Sequence, residues 1–362
     1  MNASEGPNSR TMASIGAAAG VSRQTVWNVL HAPHRVRPET RERVEAAIQA
    51  AQYRPNRVAR SLRTRSARLL GYCVLPRAGA DLNPVQDRFL HAVTEAAEAR
   101  GYHVLLFSTP GLDGYDELLA EAAVDGFVLS DTVLDDPRQA WLGERGVPFA
   151  AFGRTWSGSD EYGSWVDIDG AAGTEAAVGH LREQGHRRTA FLGWPAGSAV
   201  GEDRLTGWRR GCENAGLAAG PVARAENTSD EGRRHAAELL RTAEPPTALV
   251  CVSDVVALGA LAELRAQGLR PGPDVAVVGF DDAPFAALPG VDLTSVAQPI
   301  ERVGAEVVTL LIDELTGEKP AAAPSGSRQP ESGHRHILLT PSLRVRASTI
   351  RTGTRTIHEG QS

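Results

Sequence analysis

Short helical patterns near the N-terminus constrain this chain more than any other feature. Apolar and small residues keep the spacing of one helix face over residues 12–19. Gly20 can adopt the left-handed conformation that ends a helix, and Ser22 is a suitable N-cap for a second helix over about Arg23–Leu30. A helix, a tight turn and a second helix form the helix-turn-helix unit, whose second helix enters the major groove of DNA. A third helical pattern, Pro38–Gln52, follows.

Charge is distributed unevenly along the chain. Residues 1–66 contain eleven arginines and four glutamates, a balance of +7, whereas the whole chain carries −6, so the remainder carries −13. A basic head on an acidic body is the electrostatic pattern of a nucleic-acid-binding module. The alternative interpretation is a small helical cap with an arginine-rich surface.

The length and the cysteine usage restrict the class of protein. At 362 residues the chain is too long for one compact core and suits two or three domains. Its three cysteines are far apart in apolar or helical runs, which is typical of core residues in a reducing compartment. No apolar signal segment is present, and no run approaches the roughly eighteen apolar residues that a membrane span needs. We therefore expect a cytoplasmic protein without a membrane partner.

Beyond the N-terminal helices, apolar strand-like runs alternate with helical patterns. The runs Leu69–Leu75 and His103–Ser108 flank a helical pattern at Val85–Arg100, and the same alternation restarts at about Ala171–Gln184. Alternation of this kind favours parallel sheets with helices on both faces. The sequence therefore predicts an all-α headpiece followed by two similar doubly wound α/β lobes in tandem.

Several motifs resemble those of the lactose-repressor and galactose-repressor family of bacterial transcription regulators. The headpiece carries A-G-V-S-R-Q-T-V at 19–26, T-R-E-R-V at 40–44 and Y-R-P-N-R-V-A-R-S-L at 53–62. The body carries D-R-L-T-G-W at 203–208 and V-V-G-F-D-D at 277–282, so that the resemblance spans roughly residues 11–349. It implies a body like that of periplasmic sugar-binding proteins, which forms a homodimer and holds an effector between its lobes.

This resemblance and the patterns together predict the domain organisation. The predicted segments are a disordered N-terminus 1–10, a headpiece 11–55, a hinge helix and linker 56–68, a body 69–350 and a disordered tail 351–362. The first lobe is expected to comprise 69–168 and 298–317, and the second lobe 169–297 and 336–349, with a strand over His336–Arg346. Residues 318–335, rich in Pro, Ala, Ser and Gly, are predicted to form a flexible insert.

Candidate DNA-binding residues begin on the second helix. Arg23 and Gln24 directly follow its cap, where arginine can pair with guanine and glutamine with adenine. Ser22, Thr25 and Asn56 are better placed for phosphate or backbone contacts, and we include Thr11 and Ala59 in the same predicted set. The alternative for Arg23 and Gln24 is that they are ordinary solvated helix residues.

The second helix departs from the family at Trp27 and Asn28, where members commonly have Ser-Arg. The family's arginine can read a base, and Asn28 could instead pair with adenine. An altered operator is therefore expected at that position. The size of Trp27 is compatible with two arrangements, one along the DNA backbone and one packed inward.

The segment 56–62 is too short to form a stable helix alone in water. The resemblance implies that paired copies of Leu62, one from each subunit, wedge into the minor groove at the centre of a quasi-palindromic double-stranded operator. An apolar wedge unstacks a base step and kinks the duplex. The alternative is a leucine that packs beneath the headpiece.

For the effector, the family pattern points to four positions in the body, namely Trp165, Arg204, Asp254 and Asp281. Carboxylates and guanidinium groups can each engage two adjacent hydroxyls, and an indole can cover the apolar face of a sugar ring. Each position also has a structural alternative: a core aromatic for Trp165, a surface ion pair for Arg204, a helix cap for Asp254 and a turn residue for Asp281. The predicted effector is a small molecule, most simply a carbohydrate.

Other functional classes are less well supported. A sugar-binding receptor without DNA regulation would share the fold, but it would have no use for the basic headpiece. The nucleotide-binding patterns G-x-G-x-x-G after the first strand and G-x-x-x-x-G-K-S/T are absent, as are a G-x-S-x-G elbow and metal-spaced histidines. We therefore expect no enzymatic activity, no cofactor and no metal site.

Overall fold

The computed structural model describes residues 11–53, 66–74, 83–156, 162–318, 327–328 and 333–351. The chain divides into two compact units, residues 1–67 and 68–362. The predicted hinge residues Asn56, Ala59 and Leu62 lie outside the described residues, as do residues 1–10 and 352–362.

The first unit is helical. It contains α1 (Met12–Ala19), α2 (Arg23–His31) and α3 (Pro38–Ala50), close to the bounds expected from the sequence. These helices enclose a small apolar core made by the buried residues Ile15, Ala19, Val26, Val29, Val44 and Tyr53.

Local capping determines where the first two helices begin. Thr11 Oγ1 accepts a hydrogen bond from the Ser14 amide at 3.1 Å, and Ser22 Oγ accepts one from the Thr25 amide at 3.1 Å. Both bonds satisfy an amide of the first turn that has no partner within the helix. Gly20 has a φ of 65° and ends α1, as its position predicts.

The second unit alternates strands and helices. Its strands are β1 (Leu69–Cys73), β2 (His103–Phe107), β3 (Gly126–Leu129), β4 (Phe149–Phe152), β5 (Ser164–Ile168), β6 (Arg188–Gly193), β7 (Ala218–Arg224), β8 (Ala248–Cys251), β9 (Ala276–Asp281), β10 (Thr294–Ala297), β11 (Ser327–Arg328), β12 (His336–Leu339) and β13 (Ser342–Arg344). Its helices are α4 (Pro84–Ala99), α5 (Asp113–Ala120), α6 (Pro137–Glu144), α7 (Gly170–Glu183), α8 (Ala199–Asn214), α9 (Ser229–Leu240), α10 (Asp254–Ala266) and α11 (Ile300–Thr316).

Two sheets define the two lobes that the alternation predicts. The first sheet has the order β11–β12–β5–β4–β3–β1–β2, and the second has the order β13–β10–β9–β8–β6–β7. Pairing is parallel except at the edge strands β11 and β13. The chain passes between the lobes three times, after β5, after β10 and after β12. After β5 the helix α7 packs in the second lobe, and after β10 the helix α11 packs against α4 in the first. After β12 the chain returns to the second sheet as β13.

The predicted strand over His336–Arg346 is two strands in the structure. His336–Leu339 pairs in parallel with β5 in the first sheet, whereas Ser342–Arg344 pairs antiparallel with β10 in the second. The assignment of 336–349 to the second lobe is therefore wrong for β12. Pro341 lies between the two strands, and because proline has no amide hydrogen it interrupts the ladder at the crossing.

Part of the predicted flexible insert is ordered. Ser327 and Arg328 form β11 at the edge of the first sheet, and the Arg335 guanidinium lies 2.8 Å from an Asp313 carboxylate oxygen. The remaining residues between 318 and 333 lie outside the described ranges. No helix in the described ranges is both long and apolar enough to cross a membrane.

Candidate DNA-binding surface and ligand cleft

The exposed face of α2 carries the predicted base-reading residues. Arg23 and Gln24 are exposed at its N-terminal end, whereas Val26 and Val29 are buried on the opposite side. Gln24 Nε2 donates a hydrogen bond to Asn28 Oδ1 at 3.2 Å. This bond holds the two amide groups next to each other on the face that is directed away from the core.

The predicted DNA-contacting hydroxyl residues Thr11, Ser22 and Thr25 all take part in capping. Ser22 Oγ and Thr25 Oγ1 are 2.9 Å apart, and Thr11 shares a reciprocal cap with Ser14 at the start of α1. Thr11 and Ser22 remain exposed to solvent. A hydroxyl that accepts a bond from a backbone amide can still donate to a phosphate oxygen, so phosphate contact by these residues stays a prediction.

A cleft opens between the two lobes at the carboxyl ends of their parallel strands, where open α/β sheets bind ligands. It contains about 880 Å³ of empty space, counting the solvent at its open mouth. The first lobe and the crossing after β10 contribute Asn83, Pro84, Val85, Asp131, Thr132, Phe152, Gly153, Trp156, Asp167, Ile168 and Gln298. The second lobe contributes Gly170, Trp194, Val200, Asp203, Arg204, Asn227, Val255 and Asp281.

Arg204 and Asp281 form the buried charged centre of the cleft wall. Arg204 Nη1 lies 3.5 Å from Asp281 Oδ1, and both side chains are less than one tenth exposed. The guanidinium carbon lies 3.7 Å from the ring centre of Phe280 and 5.2 Å from that of Trp194. Within the described part of the chain, the buried Arg204 Nε has no hydrogen-bond partner. A buried donor of this kind requires an explanation.

Asp281 is held in a strained conformation. Its φ is 118°, which only glycine adopts readily, and its Oδ1 accepts a hydrogen bond from Gln298 Nε2 at 2.7 Å. Burial raises the pKa of Asp281 to about 6, although the Arg204 charge opposes this rise. Strained residues cluster at binding sites, and Asp281 is directed into this one.

Asp254 does not line the cleft, but its side chain forms hydrogen bonds behind the cleft wall. Its side chain is buried, and its two oxygens accept hydrogen bonds from Ser295 Oγ at 2.6 Å and from the Ala283 amide at 2.7 Å. Burial, and then the Asp281 charge, raise the pKa of Asp254 well above its ordinary value. Asp254 is therefore not brought to the cleft wall where the sequence predicts it, and Ser253 supplies the helix cap, since its Oγ accepts a hydrogen bond from the Val256 amide.

Trp165 also lies outside the cleft wall, contrary to the sequence-based prediction. Its indole stacks on the His336 ring at a centroid distance of 4.5 Å and packs against the core of the first lobe. Trp165 is the second residue of β5, whereas the cleft begins at the carboxyl end of that strand, where Asp167 and Ile168 contribute to it. Of the four predicted residues, the structure therefore brings together Arg204 and Asp281.

Two other tryptophans supply indole surface to the cleft. Trp156 follows β4 in the first lobe, and Trp194 follows β6 in the second. Trp194 Nε1 donates to Asn227 Oδ1 at 3.2 Å, which fixes the orientation of its ring. The position of each residue just after a strand-like run was a usable signal, because ligands bind beyond the carboxyl ends of parallel strands.

Arg154 links the two walls of the cleft. Its Nε lies 2.6 Å from Asp167 Oδ2 in the first lobe, and its Nη1 lies 3.9 Å from Asp203 Oδ1 in the second. Its guanidinium carbon is 4.5 Å from the ring centre of Trp156. Burial raises the pKa of Asp203, and Arg154 opposes the rise. No residue pattern in the sequence predicts this charge bridge, because its three members come together only on folding.

A helix-turn-helix headpiece together with a two-lobed body that has a polar interlobe cleft is typical of a class of DNA-binding regulators. Comparison with known proteins agrees with that class. Residues 11–56 match the lacI family of bacterial regulatory proteins, and residues 178–349 match a periplasmic binding protein-like domain.

Two curated relatives match most of the chain. The transcriptional regulator CelR of Thermobifida fusca is 37% identical over 317 residues, which are 85% of this chain and 92% of the relative. The transcriptional repressor CytR of Escherichia coli strain K12 is 29% identical over 356 residues, which are 96% of this chain and 99% of the relative. The chain belongs to the lacI family, and it is a DNA-binding transcriptional regulator, not an enzyme.

Solved structures extend the comparison to the whole fold. A complex of the regulator CelR with cellobiose has a TM-score of 0.67 at 34% identity and covers 93% of this chain and 99% of that one. The lac repressor dimer bound to operator and the anti-inducer ONPF has a TM-score of 0.77 at 26% identity, covering 94% and 99%.

Proposed function

We propose that the chain is a homodimeric repressor that binds a quasi-palindromic operator and responds to a small carbohydrate in the interlobe cleft. The observation that carries the proposal is that indole surface and a buried charge pair come together in one cleft. Binding to chromosomal DNA would make this a cytoplasmic protein. The repressor assignment is supported by the name of CytR, and the carbohydrate by the complex of CelR with cellobiose.

Indole surface supplies the apolar contacts that recognition of a sugar ring needs. The ring carbons of a sugar present apolar patches that pack on aromatic faces. Trp156 and Trp194 offer such faces from opposite lobes. Each indole can stack on one sugar ring, so a ligand with two rings suits the cleft better than a single monosaccharide. Rigid aromatic walls also cost little conformational entropy when the ligand binds.

Polar side chains supply hydrogen bonds for the sugar hydroxyl groups. Arg204, Asp281, Gln298 and Asn227 all line the cleft, and they supply both donors and acceptors. A guanidinium group and a carboxylate can each bind two neighbouring hydroxyls. The buried Arg204 Nε that lacks a partner in the described residues would gain one from a ligand hydroxyl. A polyol therefore matches the chemistry of this wall.

The location of the site suggests how the ligand controls DNA binding. Because both lobes contribute to the cleft, a ligand that binds one lobe arrangement more tightly shifts the population toward it. In a dimer this shift would alter the spacing of the first lobes and so bias pairing of the two 56–62 segments over kinked DNA. The coupling free energy of such systems is about 1–3 kcal/mol.

The decisive experiment combines operator selection with an effector panel. DNA bound from a random pool should yield a quasi-palindrome with a central pyrimidine–purine step, and its complex should then be challenged with mono- and disaccharides in a fluorescence anisotropy titration. We expect one sugar class to change operator affinity. If no sequence is enriched, the regulatory proposal is wrong; if operator is bound but no sugar acts, only the carbohydrate is wrong.

A matched pair of variants tests the cleft. Trp194→Leu should lower sugar affinity by about tenfold or more, because loss of a buried aromatic contact costs roughly 1–3 kcal/mol. Trp165→Leu removes the same kind of side chain outside the cleft and should leave sugar affinity unchanged. Isothermal titration calorimetry measures both. Equal affinities in wild type and Trp194→Leu would place the ligand elsewhere.

A further inference from the structure

The walls of the interlobe cleft carry more negative than positive charge. Among the described residues that line it, Arg204 is the one cationic side chain. Four of the others are aspartates, namely Asp131, Asp167, Asp203 and Asp281. The guanidinium group of Arg204 already faces Asp281, with Nη1 3.5 Å from Oδ1, and donates to the Val252 carbonyl oxygen at 2.5 Å. The cleft therefore offers an incoming anion more repulsion than attraction.

Two arginines next to the cleft are also paired with carboxylates. Arg154 Nε lies 2.6 Å from Asp167 Oδ2. Arg88 donates to the Asp281 carbonyl oxygen at 3.4 Å, and its Nη2 lies 2.9 Å from both carboxylate oxygens of Glu301. A guanidinium group binds a phosphate or a carboxylate tightly when both of its parallel N–H groups are available. In the described part of the chain, each of these groups already has a carboxylate partner.

The N-terminus of a helix is a second kind of anion site, and here it is occupied by protein carboxylates. The helix α7 begins at the cleft with Gly170, and the amides of a first helical turn attract anions. The Ala171 amide donates to Asp203 Oδ2 at 3.0 Å. The Ala172 amide donates to Asp169 Oδ1 at 2.8 Å. Two carboxylates therefore occupy the positions at which phosphate oxygens bind to a helix end.

Asp203 differs from Asp169 in how it reaches α7. Asp169 is the N-cap residue of α7 itself, so its contact follows from the local chain geometry. Asp203 belongs to α8, lines the cleft, and has 18% of its side chain exposed. The carboxylate that faces a ligand at this helix end is therefore supplied by tertiary structure.

We propose that Asp203 is a specificity-determining residue that excludes anionic ligands, so that the effector is an uncharged sugar and not a sugar phosphate or a uronic acid. The Asp203 carboxylate fills the helix-end site and places its own negative charge beside any ligand. A sugar hydroxyl can instead donate to this carboxylate in a charge-assisted hydrogen bond. This inference rests on the carbohydrate proposed for the cleft and narrows its chemical class.

The first test compares neutral and anionic forms of the same sugar. Glucose, galactose and cellobiose are each paired with the 6-phosphate and the uronic acid of that sugar and titrated against the full-length protein. Isothermal titration calorimetry at matched ionic strength measures each dissociation constant, directly and by competition between the forms. For the sugar that binds, the anionic forms should bind at least about tenfold more weakly, the effect of a like-charge contact that is partly screened.

The outcomes separate this inference from the carbohydrate proposal. If a sugar phosphate or a uronic acid binds as tightly as its neutral form, or more tightly, the inference is wrong and the carbohydrate proposal stands. If neither form of any of the three sugars binds, the carbohydrate proposal fails and the inference fails with it.

The second test removes the charge of Asp203 and keeps the size of its side chain. Asp203→Asn retains an oxygen that can accept from the Ala171 amide, so the helix end stays capped. The preference for the neutral form should shrink by at least about threefold. Glu183→Gln is the matched control, because Glu183 is exposed at the opposite end of α7, roughly 20 Å away, and should leave the preference unchanged.

This variant also distinguishes charge from size. If phosphate groups were excluded only because they are bulky, Asp203→Asn would keep the full preference for the neutral sugar. An unchanged ratio of the two dissociation constants in Asp203→Asn would therefore overturn the role of Asp203. Circular dichroism and thermal unfolding report whether each variant is folded.

Discussion

At the scale of single residues, the cleft contains carboxyl groups whose pKa values are raised by burial. Asp281 combines a φ of 118°, a hydrogen bond from Gln298 at 2.7 Å and a neighbouring guanidinium. Water would favour its charged form more strongly than this site does. The folded state therefore favours the protonated carboxyl more than the unfolded chain does, and the pH dependence of stability measures this difference.

We expect Asp281→Asn to change how stability depends on pH. Burial raises the folded pKa of Asp281 to about 6, whereas an unfolded aspartate titrates near 3.9. A raised folded pKa stabilises the wild type below about pH 4, and that contribution is lost as pH rises to about 6. The free energy of unfolding of the variant relative to wild type should therefore rise across this window, by at most about 3 kcal/mol. Urea unfolding at several pH values measures it, and parallel pH profiles would contradict the assignment.

At the scale of secondary-structure elements, short helices depend on their ends. The helix α2 has nine residues, and Ser22 supplies the bond to the Thr25 amide at 3.1 Å. A helix of this length is marginal without tertiary contacts and caps. The cap therefore contributes to stability while its hydroxyl stays exposed near the predicted DNA-binding face.

Substitutions at Ser22 should separate the structural role from the DNA contact. Ser22→Ala should lower headpiece stability by about 1 kcal/mol, because an amide of the first turn loses its partner. Ser22→Asp keeps a good cap, but its charge should repel phosphate and weaken binding to all DNA sequences. Thermal unfolding and anisotropy titrations measure the two effects. If Ser22→Asp binds DNA as wild type does, Ser22 makes no phosphate contact.

At the scale of the whole molecule, the proposed function requires two copies of the chain and a bent operator. The sequence of the segment 56–62 favours a helix that is too short to persist alone. Pairing over DNA would supply the missing stabilisation, and the insertion of apolar side chains would offset part of the cost of bending.

We expect Leu62→Gly to lose most operator specificity. Without the apolar wedge, the central base step stays stacked and the two headpieces cannot both reach their half-sites. Specific affinity should fall by about a hundredfold or more, while salt-dependent non-specific binding persists because phosphate contacts supply it. Val58→Ala, a change in the same segment away from the predicted wedge, is the control. An unchanged operator dissociation constant for Leu62→Gly would refute the wedge.

Much of the architecture could be predicted from sequence because its signals are local. Ser22 and Gly20 mark helix ends through hydrogen bonds and backbone angles within a few residues, and the alternation of strands and helices favours parallel sheets. The positions of Arg204 and Asp281 in the cleft could be predicted because both residues belong to motifs that the family shares.

The tertiary structure alone decided which side chains meet in the cleft. Trp165 and Asp254 have suitable chemistry, but the first lies too early on its strand and the second is buried beneath the loop it supports. Trp156 and Trp194 line the cleft because β4 and β6, which belong to different sheets, both end at the cleft between the lobes. The sequence specifies the chemistry of each side chain. Strand order and the crossings between lobes determine which side chains lie close together, so only the folded chain determines the composition of the cleft.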